Sequence, residues 1–179
     1  MKIISGKLKG KPIVGQKAGL RPTTAIAKSA LFNILGNTVA GKIFIDVFAG
    51  TGGIGFEAFS RGAKEVVFVE KDSRAAAFLR RNIENLQINA RVLRRDVYDF
   101  LSSTTQESPD FLFFSPPYDT IHWHMLLRAI EQSPVFGPKT LVILQHPKMI
   151  VVDSFVLEKT DERRYGLNKL TFFKRKGGD

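Results

Sequence analysis

An α/β fold built on a mostly parallel sheet is predicted from three observations. Short, continuous apolar runs recur along residues 43–144, amphipathic stretches of helix length separate them, and two extended runs follow Pro147. A strand covered on both faces must be apolar throughout, whereas a strand with one wet face alternates, so these runs belong to a sheet with helices on either side. Residues 43–48, 66–69, 92–93, 111–114 and 141–144 are the strands, and 53–61, 73–86 and 120–132 the helices between them. The runs at 151–160 and 168–175, with a turn near Gly166, predict an antiparallel edge hairpin that brings the sheet to seven strands.

Ahead of this domain, assigned to residues 41–179, lies a small basic extension over 1–40. Lys2, Lys7, Lys9, Lys11, Lys17, Arg21 and Lys28 occur in the first 28 residues without a single acid, interleaved with Gly6, Gly10, Gly15 and Gly19. Ile3-Ile4 and Pro12-Ile13-Val14 flank a Lys/Gly stretch, which predicts a small hairpin. From a Thr23 cap, apolar Ile26, Ala30, Leu31 and Ile34 predict a helix that stops near Gly36. Cations so concentrated are expected to contact phosphates, with Lys7, Lys9, Lys11 and Lys28 positioning a nucleic acid without reading its bases.

Composition narrows the classes of function. The chain has 179 residues with 44% hydrophobic and 25% charged, ordinary proportions for a globular domain. A net charge of +10 and a pI near 10.0 favour a polyanionic partner. Cys is absent, which excludes a disulfide scaffold, a thiolate zinc site and cysteine nucleophiles, and fits a reducing compartment. Neither an apolar span of about 18 residues nor a secretory apolar core at the start is visible, so a soluble, cytoplasmic protein is expected. His122 and His124 are spaced i, i+2 on a helix and do not face each other, so no metal site is expected there. His146 is assigned to a strand end.

The chemistry-bearing motifs lie at strand ends. Phe48-Ala49-Gly50-Thr51-Gly52-Gly53-Ile54-Gly55 follows the first strand and opens a helix, and Gly50, Gly52 and Gly55 satisfy G-x-G-x-x-G. Glu70 ends the second strand, where a carboxylate can accept hydrogen bonds from ribose hydroxyls. Asp46, inside the first strand, would repel the pyrophosphate of a dinucleotide. S-adenosylmethionine has no phosphate and carries an ammonium and a sulfonium, so the acid favours it. Asp96 after the third strand either caps a helix or faces an adenine amine. Ser115-Pro116-Pro117-Tyr118 follows the fourth strand. Its prolines fix the neighbouring carbonyls in one direction. Those carbonyls can accept from an exocyclic amine, leaving its lone pair free to attack, and the Tyr118 ring offers a surface on which an unpaired base stacks.

Taken together, Ile3-Ile4-Ser5-Gly6, Leu20-Arg21-Pro22-Thr23-Thr24, Ala30 to Leu35, Asp46 to Gly52, Glu57-Ala58, Ser60 to Ala63, Val69-Glu70 and Tyr165-Gly166 resemble the RsmD-type enzymes. These are class I S-adenosylmethionine-dependent methyltransferases that methylate guanine N2 in 16S ribosomal RNA. The resemblance covers nearly the whole chain. It implies a Rossmann-like class I methyltransferase fold acting as a monomer, without metal or membrane, on 16S RNA or a small-subunit assembly intermediate. It also implies cofactor binding by Asp46, Phe48, Ala49, Gly50, Thr51, Gly52, Gly55 and Glu70, with Asp96 and Val97 on the adenine side. Ser115, Pro116, Pro117 and Tyr118 would meet the target base, and Arg21, Thr23, Thr24 and Tyr165 would join the basic arm on the RNA. Family members usually carry Asp where this chain has Ser115, although related amino-methyltransferases use Ser there. They also tend to carry charged residues where this chain has Ala25-Ile26-Ala27-Lys28-Ser29. Two other readings are methylation of DNA adenine N6 or cytosine N4, and a non-catalytic RNA-binding or ribosome-assembly factor on a methyltransferase scaffold. The first lacks a separate target-recognition region; the second should have lost Gly50, Gly52, Glu70 or Asp96, and all are present.

Overall fold

The computed structural model describes residues 1–15, 25–104, 108–117 and 121–177. Its sheet has seven strands, β1 (Ile43–Val47), β2 (Glu65–Val69), β3 (Ala90–Leu93), β4 (Phe111–Phe114), β5 (Leu141–Pro147), β6 (Leu157–Tyr165) and β7 (Asn168–Arg175). Their order is β3-β2-β1-β4-β5-β7-β6. Pairings among the first five are parallel and β7 is antiparallel to β5 and β6, as expected from the continuous apolar runs followed by a hairpin. The order reverses between β1 and β4, so their carboxyl ends diverge into the crevice in which open α/β sheets bind ligands.

Five α-helices accompany the strands among the described residues: α1 (Ala25–Leu35), α2 (Gly53–Ser60), α3 (Ser73–Leu86), α4 (Val97–Leu101) and α5 (Trp123–Gln132). α1 to α3 cover one face of the sheet, where Leu31, Phe32, Phe56 and Leu79 meet Phe44, Phe68 and Phe113. α4 and α5 cover the other, with Phe100, Leu126 and Ile130 against Val67, Leu112 and Phe114. The short helix α4 is visible in the sequence only as the helix that Asp96 could cap; five residues carry too little periodicity to declare themselves.

Residues 1–14 form the expected hairpin. Ile13 N donates to Met1 O at 2.7 Å, Gly10 N to Ile3 O at 2.9 Å, and Lys2 bridges Pro12 antiparallel. Ile3 and Ile13 are buried in the same core as α1, α2 and α3, so the extension shares the domain's core.

The sixth strand lies further along the chain than the expected 151–160. Ser154 Oγ donates to Glu131 on α5 and accepts from Val156 N and Leu157 N at 3.1 and 2.7 Å. This turn binds residues 150–154 to α5, with Val152 buried, and lets pairing begin only at Leu157. β6 is an edge strand, and it is charged along its length, with Glu158, Lys159, Asp161, Glu162, Arg163 and Arg164, and bulged between Lys159 and Asp161. Both features discourage pairing with another chain.

Candidate active site

The crevice is built at the carboxyl ends of β1, β2 and β4. β1 leads into a tight loop in which Phe48, Gly50 and Gly52 all take left-handed φ, at 61°, 53° and 76°. For a bulky residue such as Phe48 that conformation is costly and is held only where its surroundings impose it, a pattern that concentrates at ligand sites. Ala49 N donates to Val69 O at 3.2 Å and Gly52 N to Ala49 O at 2.7 Å, which fix the loop against β2. Gly55, one turn into α2, has no room for a side chain: a Cβ would stand 2.3 Å from the Phe68 ring. The three glycines of the motif therefore serve the turn and the seating of α2 on the sheet.

Two acids organise this loop in different ways. Glu70 Oε2 accepts from Gly50 N at 2.8 Å and Oε1 from Asp72 N at 2.9 Å. A carboxylate has about four lone-pair sites, so both oxygens retain acceptor capacity toward a ligand's hydroxyls. At Asp46 the structure differs from the expected ligand contact. The side chain is only 2% exposed, and Oδ2 accepts from Gly55 N at 2.8 Å. Burial, with a smaller push from Glu70 and an opposing pull from the Gly55 N–H, raises its pKa to about 8. Asp46 acts on the crevice through the α2 junction it holds.

At the carboxyl ends of β1 and β2, Val47, Phe48, Val69 and Val97 line a narrow slot together with Lys71 and Arg95. Asp96 caps α4, its Oδ1 accepting from Tyr98 N at 3.0 Å, and its other oxygen lies 3.8 Å from the Lys71 ammonium. It is half-buried beside Val97. Ser115 N reaches Val47 O at 3.4 Å, so the residues after β4 begin directly beside the last residue before the glycine loop. Pro116 is buried and Ser115 and Pro117 are partly exposed. Tyr118, like Arg21, Thr23 and Thr24, lies outside the described residues.

The basic hairpin presents Lys7, Lys9 and Lys11 to solvent, with the Lys7 ammonium 3.8 Å from the Phe59 ring centre. Lys28 does not join them. Its side chain is 4% exposed and its ammonium lies 3.4 Å from Glu57 Oε2, so the expected phosphate contact is withdrawn at this residue. Tyr165 ends β6, half-buried against the core on the arm's side of the sheet.

Sequence reasoning missed the burial of Glu57, whereas His146 lies at the strand end assigned to it. Glu57, legible only as part of a motif, is fully buried and accepts from Ile4 N, Ser5 N and Arg61 Nε. Its signal was an acid inside the apolar run Ile54 to Phe59. His146 is buried in β5 with Nε2 2.8 Å from Thr171 Oγ1. Burial lowers its pKa, which favours the neutral ring. Among the described residues no group of three or more His, Asp or Glu is placed to hold a metal ion, and no helix is long and apolar enough to cross a membrane.

Residues 1–174 match the family model described as conserved hypothetical protein 95. YlbH of Bacillus subtilis is 31% identical over 186 residues, covering 99% of this chain and 100% of YlbH. Ribosomal RNA small subunit methyltransferase D of Haemophilus influenzae is 37% identical over 157 residues, or 83% of this chain and 79% of that protein. Among solved structures, a hypothetical protein of Thermus thermophilus superposes with a TM-score of 0.83 at 31% identity, covering 97% of this chain and 99% of the other.

Proposed function

The chain belongs to the conserved hypothetical protein 95 family of RsmD-type methyltransferases, and from that premise we propose that it methylates the exocyclic N2 amine of a guanine in 16S ribosomal RNA, with S-adenosylmethionine as donor. The observation that carries this reading is the junction at Val47, where the strained glycine loop and the Ser115-Pro116-Pro117 segment meet within one hydrogen bond. A donor seated on the loop and an amine seated on the segment are thereby adjacent.

The residues present fit the cofactor. Val47, Phe48, Val69 and Val97 offer apolar surface toward an adenine that would lie over the narrow slot they line, Glu70 offers acceptors to ribose hydroxyls, and the glycine loop bares its backbone to the chain of the ligand. When bound, S-adenosylmethionine supplies an electrophilic methyl group on a sulfonium. Pro116 and Pro117 lack N–H groups and hold the carbonyls beside them fixed, so those oxygens accept from the guanine amine and orient it. With its N–H groups engaged, the nitrogen keeps its lone pair for in-line attack, and positioning supplies most of the acceleration. Ser115 adds a neutral acceptor where a carboxylate would add a charged one.

Glu70→Ala is expected to weaken cofactor binding by about 1 to 3 kcal/mol, the scale for hydrogen bonds to a charged group, because it removes the ribose acceptor and frees Gly50 N. Calorimetry with S-adenosylmethionine and with its demethylated product measures this; unchanged affinity for both would remove Glu70 from the site.

Transfer of labelled methyl to total RNA and to DNA, followed by nucleoside analysis, tests the whole reading. N2-methylguanosine in small-subunit RNA is the expected product, whereas label in DNA or on another nucleoside overturns the assignment. In the same assay Ser115→Ala is expected to slow single-turnover transfer by roughly tenfold at most, the loss of one neutral hydrogen bond of about 0.5 to 1.5 kcal/mol. Abolished turnover would make the hydroxyl, and not the proline-fixed carbonyl, the essential acceptor.

A further inference from the structure

The β6–β7 hairpin turns in two residues. Tyr165 pairs with Asn168, which leaves Gly166 and Leu167 as the whole loop. Gly166 supplies the left-handed φ of 60° that the first loop position needs. The second position of such a loop is ordinarily polar, yet here it is Leu167, 64% exposed and buried against nothing in the core.

The tip has a fixed place. Lys148 N donates to Leu167 O at 2.8 Å, and His146 and Pro147 of β5 pair with Lys169 and Asn168 of β7. β5 in turn pairs with β4 in parallel register up to Phe114 opposite Leu144, so Leu167 stands at the same end of the sheet as Ser115, Pro116 and Pro117, two strands away. Cations lie close to it along the chain: Lys148 follows β5 and is joined to Leu167 through its backbone N–H, and Arg163 and Arg164 precede the turn on β6. Arg163 is paired with Asp161, but Arg164 has no carboxylate partner among the described residues. An exposed apolar side chain on a two-residue turn, with Lys148 and Arg164 on the adjoining segments, matches a stacked nucleic acid: the cations take phosphates and the apolar group takes base faces.

The proposed reaction supplies a need for it. A guanine N2 amine that is paired and stacked cannot reach a fixed methyl group, so the base must leave the stack, and the gap it leaves is costly unless filled. Resting on the guanine-N2 reading above, we propose that Leu167 is a substrate-positioning wedge that enters the RNA stack in place of the guanine drawn to Ser115–Pro117.

The test uses the full chain and two RNA hairpins carrying the target guanine, one with it paired to cytosine and one with an abasic site opposite. Leu167→Ala is expected to slow single-turnover methylation of the paired RNA by about tenfold, the scale of one lost stacking contact. On the abasic RNA, where extrusion is already easy, it should match the wild type, and Leu167→Met should restore activity on the paired RNA. Thermal midpoint and cofactor affinity should not move, since the side chain is exposed and remote from the glycine loop. Equal losses on both RNAs, or no loss on either, overturn the wedge while leaving the guanine-N2 activity standing. A wild-type protein that methylates guanine in small ribosomal subunits but in neither hairpin overturns the wedge alone, and one that methylates guanine in none of them overturns that activity with it.

Discussion

Glu57→Ala is expected to destabilise the protein by about 3 to 5 kcal/mol, the usual loss when one member of a buried charge pair is removed. Glu57 is fully buried on α2. Its Oε2 accepts from Ile4 N at 2.8 Å and meets the Lys28 ammonium at 3.4 Å, while Oε1 accepts from Ser5 N and from Arg61 Nε, each at 3.0 Å. Without the carboxylate, two backbone N–H groups of the hairpin and a nearly inaccessible lysine lose their acceptor together. The hairpin keeps its hydrogen bonds to Ser60 and Asn82, that of Lys28 Nζ to Lys2 O, and the buried Ile3 and Ile13, so loosening around Ile4 and Ser5 should accompany the loss.

The pH dependence separates this cause from simple loss of packing. Burial holds the Lys28 ammonium below its ordinary range, with Glu57 opposing that shift, so removal of Glu57 lowers the folded pKa further. A folded pKa below the unfolded one means that the unfolded chain binds the extra proton, and stability then rises with pH through that window. Urea unfolding of Glu57→Ala at neutral pH should therefore show the full deficit, and unfolding near the ordinary lysine pKa a smaller one. A loss under about 1 kcal/mol, or one indifferent to pH, would mean that the pair does not anchor the arm.

Why this hub escaped the sequence is physical. The strands were legible because strands buried on both faces must be apolar, and 66–69 and 111–114 contain nothing else. The glycine loop was legible because its turn needs left-handed φ at fixed spacings, and Gly50 and Gly52 supply it. Glu57 and Lys28 are 29 positions apart, and their pairing depends on where α1 lies across α2, which no local pattern encodes. Each alone reads as a solvated charge. Asp46 reads as a charge facing a ligand because strand polarity shows that an acid is present, not which way it points; the structure turns it under the loop onto Gly55 N. The start of β6 is displaced for a similar reason, since Ser154 takes its partner from α5, 23 residues earlier.

Gly52→Ala is expected to cost about 2 to 5 kcal/mol in stability, combining about 1 to 2 for a side chain in left-handed φ and about 1 to 3 for overpacking. Gly52 is the N-cap of α2 with φ 76° and ψ 17°, and a Cβ there would stand 2.5 Å from both Leu79 Cδ2 and Phe56 Cε2. Neither neighbour has space to yield: both are fully buried, and the Phe56 ring already lies against Phe68 at 4.8 Å between centres. Relief must come from the backbone. Gly52 N is bonded to Ala49 O and Gly52 O to Phe56 N, so a shift there moves the loop and the first turn of α2 together. It would break the Gly50 N–Glu70 bond on which the proposed cofactor site rests, and S-adenosylmethionine affinity should fall by about a hundredfold, the equivalent of two lost charge-assisted hydrogen bonds. Gly53→Ala is the matched control. Its φ is not left-handed, and the nearest atom to a new Cβ, at 2.6 Å, is the Met1 methyl at the end of a flexible side chain that can swing aside. Thermal unfolding and calorimetry on the two variants should differ sharply, with Gly53→Ala within about 1 kcal/mol of wild type. Equal, mild effects would mean that the loop tolerates a side chain at its tightest point, and the close-packed cradle inferred for the cofactor would have to be abandoned.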